Sequence, residues 1–123
     1  MHELSVCQAL LTAVAEIARQ RGADVVDHIT VEIGPLAGIE PGLLLNAFSI
    51  MRLGGMASGA ELRIETIETR ITCLTCGAQS TVPPNRLVCD GCGGFRTRVT
   101  AGDELRLRRV QMRLPEGSQG LAN

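Results

Sequence analysis

Four of the five cysteines fall in two matched pairs, Cys73-Leu74-Thr75-Cys76 and Cys89-Asp90-Gly91-Cys92, with twelve residues between them. A two-residue spacing lets one tight turn aim both sulfurs at a point. Two such turns supply four thiolates in a tetrahedral array, which suits Zn²⁺. Four side chains close the coordination shell, so the expected site is structural and offers no open position to a substrate. Gly77 follows the first pair, and Gly91 and Gly93 flank Cys92. Glycine there supplies the positive φ of a knuckle turn and lets backbone N–H groups approach sulfur. A tetrahedral iron site has the same donors, but Phe95 is the one aromatic residue nearby to cover it. A redox dithiol accounts for one pair only, whereas one metal accounts for both. Cys7 lies apart from them on an apolar helical stripe and reads as a buried small hydrophobe.

The flanks of the cysteine segment alternate. In residues 60–71, AELRIETIETRI, Leu62, Ile64, Thr66, Glu68 and Arg70 share one side and Arg63, Glu65, Ile67, Thr69 and Ile71 the other. Residues 104–114, ELRLRRVQMRL, alternate too, with a change of character midway that suggests a bulge or a twist. The cysteine segment therefore reads as an insertion between two neighbouring strands. Further back, Leu4, Cys7, Leu11, Val14 and Ala18 recur at helical steps, widened by Leu10 and Ile17, and Gly22 ends the pattern. Residues 25–33, VVDHITVEI, alternate as a strand with one wetter face, on which His28 sits as an ordinary exposed residue. After the loop GPLAGIEPG, Pro41 suits the first turn of a second helix over 42–53, and Glu40 suits its positive end.

The expected fold is α+β: two helices on a small three-stranded sheet, with an inserted four-cysteine zinc-ribbon module. The expected organisation is an α/β domain over 1–70 completed by a strand at 103–114, an inserted metal module over 71–102, and a flexible tail over 115–123. With aromatic residues at 2%, the core must come from Leu, Ile, Val, Ala and Met, and a metal staple would reinforce it. No run approaches the ~18–20 apolar residues of a membrane span. Glu3 stands where a secretory leader carries basic residues, and Glu16 and Arg19 break the apolar run. The expected location is the cytoplasm, where thiols stay reduced. The net charge of -1 argues against bulk capture of nucleic acid or membrane. Charge is uneven, however: residues 71–123 hold seven Arg against four acids. An alternative reading is thus a zinc-ribbon nucleic-acid-binding or adaptor protein, with Arg86, Arg96 and Arg98 as phosphate contacts. The absence of an aromatic stacking platform counts against it. A metal-dependent hydrolase lacks candidates, because His2 and His28 are the only histidines and neither joins a His–carboxylate cluster.

The opening MHELSVC holds a second set of ligands. A free α-amine, the following backbone nitrogens and the His2 imidazole can close fused chelate rings. Such an all-nitrogen, planar set suits Ni²⁺ or Cu²⁺. Both the amine and the imidazole titrate close to neutrality, so binding releases protons and weakens as pH falls.

MHELSVCQALL, VEIGPLAGIEP, AELRIE, CLTCG…LVCDGCGG and GDELRL, in that order over roughly residues 1–112, resemble the HypA/HybF family of hydrogenase nickel-insertion accessory proteins. The resemblance implies a nickel metallochaperone, not an enzyme, that passes Ni²⁺ on as cargo. It implies nickel at the N-terminus, with the His2 side chain and main-chain nitrogens of Met1 and Glu3, and structural Zn²⁺ on Cys73, Cys76, Cys89 and Cys92. It also implies two partners: a HypB-type nickel-insertion GTPase and the precursor of the nickel–iron hydrogenase large subunit. Some relatives also serve urease maturation. One departure is RLGGM before AELRIE, where relatives often carry Gly-Thr followed by small and acidic residues; another is the lack of histidine beside the cysteine pairs. Free strand edges and an inserted module are features through which two copies can pair as a homodimer.

Overall fold

The computed structural model describes residues 2–115, with side chains from Glu3 onward. The elements are α1 (His2–Gln20), β1 (Val25–Ile33), α2 (Pro41–Met51), β2 (Glu61–Thr66), β3 (Thr69–Cys73), β4 (Gln79–Val82), β5 (Thr97–Ala101) and β6 (Leu105–Arg113). They form two compact units. Among the described residues the first holds 2–31, 40–64 and 107–115, and the second holds 32–39 and 65–106; the expected tail beyond residue 115 lies outside the described residues.

In the first unit, the sheet runs β2-β1-β6 and α1 packs on α2. The buried side of α1 is Glu3, Cys7, Leu10, Val14 and Ala18, at steps of four and three. Leu4, expected on that stripe, is 57% exposed, and the carboxylate of Glu3 takes the inward place. Cys7 is fully buried, so it fills the core as a small apolar group. Leu44, Ala47 and Phe48 of α2 and Val26, Ile29, Val31 and Leu62 of the sheet are buried as well. With so few aromatic residues, these aliphatic side chains supply nearly all of the buried apolar area that drives folding. Strand β6 changes burial phase between Arg108 and Arg109, at the place where its sequence pattern changes.

In the second unit, the antiparallel sheet runs β4-β3-β5. The long alternating run of 60–71 is therefore not one strand. It breaks at Ile67-Glu68, and its halves join different sheets. Strand β3 sits between two partners, which buries Thr69, Ile71 and Cys73. Opposite it, β5 carries an irregularity: Arg70 faces Ala101 and Ile71 faces Val99, so Thr100 is the extra residue.

The segment 33–36 is stitched into this unit by backbone bonds. Gly34 N donates to Glu104 O at 3.0 Å, Leu36 N to Gly102 O at 2.8 Å, and Ile67 N to Ile33 O at 3.2 Å. The approach is close enough that a Cβ on Gly34 would lie 2.1 Å from the backbone of Gly102. Gly34→Ala is therefore expected to destabilise the protein by about 3 kcal/mol, because backbone rather than a side chain must move. Gly59→Ala, which meets nothing within 4 Å, is the control and should stay within about 0.5 kcal/mol. Urea unfolding curves of the two variants check this.

Candidate metal centre

The two cysteine pairs build the same knuckle twice. Cys73 ends β3, and its N–H donates to Ala78 O at 2.9 Å while Gly77 N donates back to Cys73 O at 3.0 Å. In the second knuckle, Cys89 N donates to Gly94 O at 2.9 Å and Gly93 N to Cys89 O at 3.0 Å. The residue after each pair, Gly77 with φ 78° and Gly93 with φ 75°, takes the left-handed conformation that closes the turn. Gly91, expected to share that role, does not have a positive φ; its N–H instead donates to Cys89 Sγ at 3.3 Å. Thr75 and Cys76 N–H groups donate to Cys73 Sγ, both at 3.4 Å.

These turns bring all four sulfurs within 4.8 Å of one another, with Cys73–Cys92 and Cys76–Cys89 both at 3.6 Å. A tetrahedron with metal–sulfur bonds of about 2.3 Å has edges of roughly 3.8 Å. The cluster therefore has the size of a Zn²⁺ site and is too open for S–S bonds, and the cysteines are free thiols. Backbone donors favour the anionic form of two of the sulfurs. N–H donation from Cys76 and Thr75 pulls the Cys73 thiol down to about 6, and donation from Cys92 and Gly91 lowers that of Cys89. Ala78 N–H also pulls on Cys76, but the neighbouring sulfurs of Cys89, Cys73 and Cys92 outweigh it and push that thiol up to about 11. Four sulfurs this close hold their protons against mutual repulsion, and a divalent cation relieves it. Phe95 gives the cluster no apolar lid, being 83% exposed. Among the described residues this is the one cluster of three or more His, Cys, Asp or Glu side chains placed for a metal.

The other expected site begins α1. Met1 and the His2 side chain lie outside the described residues; the backbone of His2 opens the helix. Glu3 is only 8% exposed, and its Oε2 accepts from Glu40 N at 3.1 Å. Glu40 in turn caps α2, its Oε2 accepting from Leu43 N at 2.8 Å. The start of α1 is thereby tied to the start of α2. The unpaired N–H groups and dipole of the α2 N-terminus favour both carboxylates. Donation from Glu40 N–H, with help from the backbone N–H of Glu3 itself, holds the Glu3 carboxyl below its ordinary value. A lowered folded-state value gives stability that is present above the ordinary carboxylate range and is lost as pH falls through the lowered value. Glu3→Ala should thus reduce the melting temperature at neutral pH, and the gap from the parent should shrink as the solution is acidified. Thermal melts at several pH values check this. Sequence reasoning placed Glu3 at the terminus but missed its anchoring bond. The signal was its position on the Cys7–Ala18 stripe, four residues before Cys7.

His28 is on the exposed face of β1, with Nδ1 3.7 Å from Glu61 Oε1. Arg86, Arg96 and Arg98 are not buried. Among the described residues, no helix is long and apolar enough to cross a membrane.

The chain is similar to known proteins along most of its length. The profile of a family described as "HypA: Hydrogenase/urease nickel incorporation, metallochaperone, hypA" matches residues 1–112. The hydrogenase maturation factor HypA of Nitrosospira multiformis is 40% identical over 112 residues, which is 91% of this chain and 97% of the relative. That of Aquifex aeolicus is 37% identical over the same shares. The solution structure of the Ni metallochaperone HypA from Helicobacter pylori shares the fold, with a TM-score of 0.73 at 24% identity over 91% of this chain and 97% of that one. The family match runs along nearly the whole chain, and this chain belongs to the HypA family of hydrogenase/urease nickel-incorporation metallochaperones.

Proposed function

We propose that this protein binds Ni²⁺ at its N-terminus and delivers it for the maturation of nickel–iron hydrogenase, with a structural zinc site on Cys73, Cys76, Cys89 and Cys92. The observation that carries the reading is the family match over residues 1–112. Ni²⁺ is cargo. Its ligands are the His2 side chain and nitrogens of Met1, His2 and Glu3. The His2 and Glu3 nitrogens lie in the first turn of α1, the part of a helix that the i→i−4 ladder does not reach. The buried carboxylate of Glu3 fixes the point from which that short ligand set extends. A planar nitrogen set leaves the metal open above and below, and an incoming ligand can attack there. No bond of a substrate is made or broken, so the protein works by binding and release and not as an enzyme.

Bound zinc contributes charge that ties four thiolates into one fold. The protein supplies the rest: two knuckles that hold the sulfurs and N–H groups that point at Cys73 and Cys89. In this reading nickel binding belongs to the unit that α1 opens, and zinc belongs to the unit that carries the four cysteines. The partners in this reading are a HypB-type nickel-insertion GTPase and the hydrogenase large-subunit precursor, in the cytoplasm.

Calorimetric titration of the untagged protein with Ni²⁺ tests the proposal. One nickel should bind per chain, with proton release, and the affinity should fall as pH is lowered from about 8 to about 6, across the range where an α-amine and an imidazole protonate. Binding that ignores pH over that range would overturn it.

A further inference from the structure

The outward face of the β2-β1-β6 sheet carries a cavity of about 250 Å³ lined by His28, Thr30, Glu61, Arg63, Arg109 and Gln111. Its geometry follows from strand periodicity. Each strand contributes two residues spaced by two, which places both on one face. On β1 the intervening Ile29 and the following Val31 point into the core. The cavity floor is therefore a grid of six polar side chains, two from each strand, with β1 in the middle.

An ordinary solvated sheet face pairs its charges across strands. Here the acid's near neighbour is a histidine and not an arginine, with His28 Nδ1 3.7 Å from Glu61 Oε1. The guanidinium groups of Arg63 and Arg109 make neither a hydrogen bond nor an ion pair among the described residues. They come from the two outer strands of a three-stranded sheet, so their backbones stand roughly 10 Å apart with β1 between. Two like charges reaching over a concave polar floor are favoured when a counter-charge lies between them. Guanidinium matches oxyanions because its planar fork donates in parallel to two oxygens. The Thr30 hydroxyl and the Gln111 amide add donors on the same floor. The volume lies below the roughly 300–1,000 Å³ of pockets for drug-sized ligands, which points to a small ligand.

From this grid we infer that the sheet face is a binding site for a small oxyanion of the phosphate class, held between Arg63 and Arg109. Both free inorganic phosphate and the terminal phosphate of a nucleotide present this chemistry. Glu61 faces the same cavity and opposes the anion, which gives the proposal a sign that a cation site would reverse. It is independent of the nickel and zinc sites.

The test is a titration of the full-length, zinc-loaded, ¹⁵N-labelled protein with sodium phosphate. Ionic strength is held constant with sodium chloride, and amide shifts are followed by NMR. Saturable shifts at residues 28, 30, 61, 63, 109 and 111 are expected, with Kd of about 1 mM or tighter. Arg63→Gln and Arg109→Gln should each weaken binding about tenfold, and Glu61→Gln should tighten it several-fold. Should a Gln variant fail to fold, Arg63→Lys and Arg109→Lys keep the charge, lose the fork and should still weaken binding. A parallel titration with adenosine monophosphate separates the two sources. Equal or tighter binding assigns the site to a nucleotide's phosphate, and weaker binding assigns it to the free ion. Shifts that never saturate, unchanged affinity in both arginine variants, or weaker binding in Glu61→Gln would overturn the inference.

Discussion

An N-terminal tag of several residues ahead of Met1 is expected to lower nickel affinity by at least about 100-fold while zinc content stays near one per chain. The extension turns the α-amine into an amide, which is not a basic donor, and moves the chain end out of reach of the His2 imidazole. His2→Ala removes the imidazole and should produce a loss of similar size. Both effects are local. The described anchor of this end is the Glu3 carboxylate on Glu40 N–H, which neither change removes. Competition titrations against a nickel chelator, run beside metal analysis of the same samples, separate the two metals. If the tagged and untagged proteins bind nickel equally, the terminal site is wrong and the cargo must be held elsewhere.

The second large effect is expected in the cysteine unit. Cys73→Ser and Cys89→Ser should each abolish stoichiometric zinc, leaving less than about a tenth of the parent's content after dialysis. Serine does not ionise near neutrality, and both positions are buried sulfurs that receive backbone N–H bonds. Loss of metal should free the residues around both knuckles. Hydrogen exchange should then rise in Thr69–Cys73 and Gln79–Val82 and stay near the parent's level in Val14–Ala18 and Ile29–Val31. Acid should act in the same direction. Protons compete with the metal for all four thiolates, so zinc should be released as the solution is acidified. A serine variant that kept one zinc per chain would remove the cysteine assignment.

Much of the metal centre could be read in one dimension, because knuckle geometry is local. Two residues between cysteines and a glycine after each pair fix the turn, and the structure repeats the same backbone bonds in both knuckles. The helix boundaries were nearly as clear, since capping is local too: Glu40 and Pro41 mark the start of α2 as printed in the chain. Local pattern failed where burial depends on distant partners. The run 60–71 alternates throughout, yet periodicity cannot say that its first half pairs with β1 and its second half with β4 and β5. Strands β4 and β5 have four and five residues, too short to carry a visible period of their own.

The amino-acid order by itself determined the two helices, the wetter strand 25–33, the fourfold sulfur set and the family to which the chain belongs. Each of these rests on spacing within a few residues or on motifs in sequence order. Only the tertiary structure decided that Glu3 turns inward while Leu4 faces solvent, and that Gly34 must lie against Gly102. It alone set Arg63 and Arg109, forty-six positions apart, over one polar floor. Those outcomes depend on which surfaces meet after folding, and packing between distant segments leaves no period in the sequence to read.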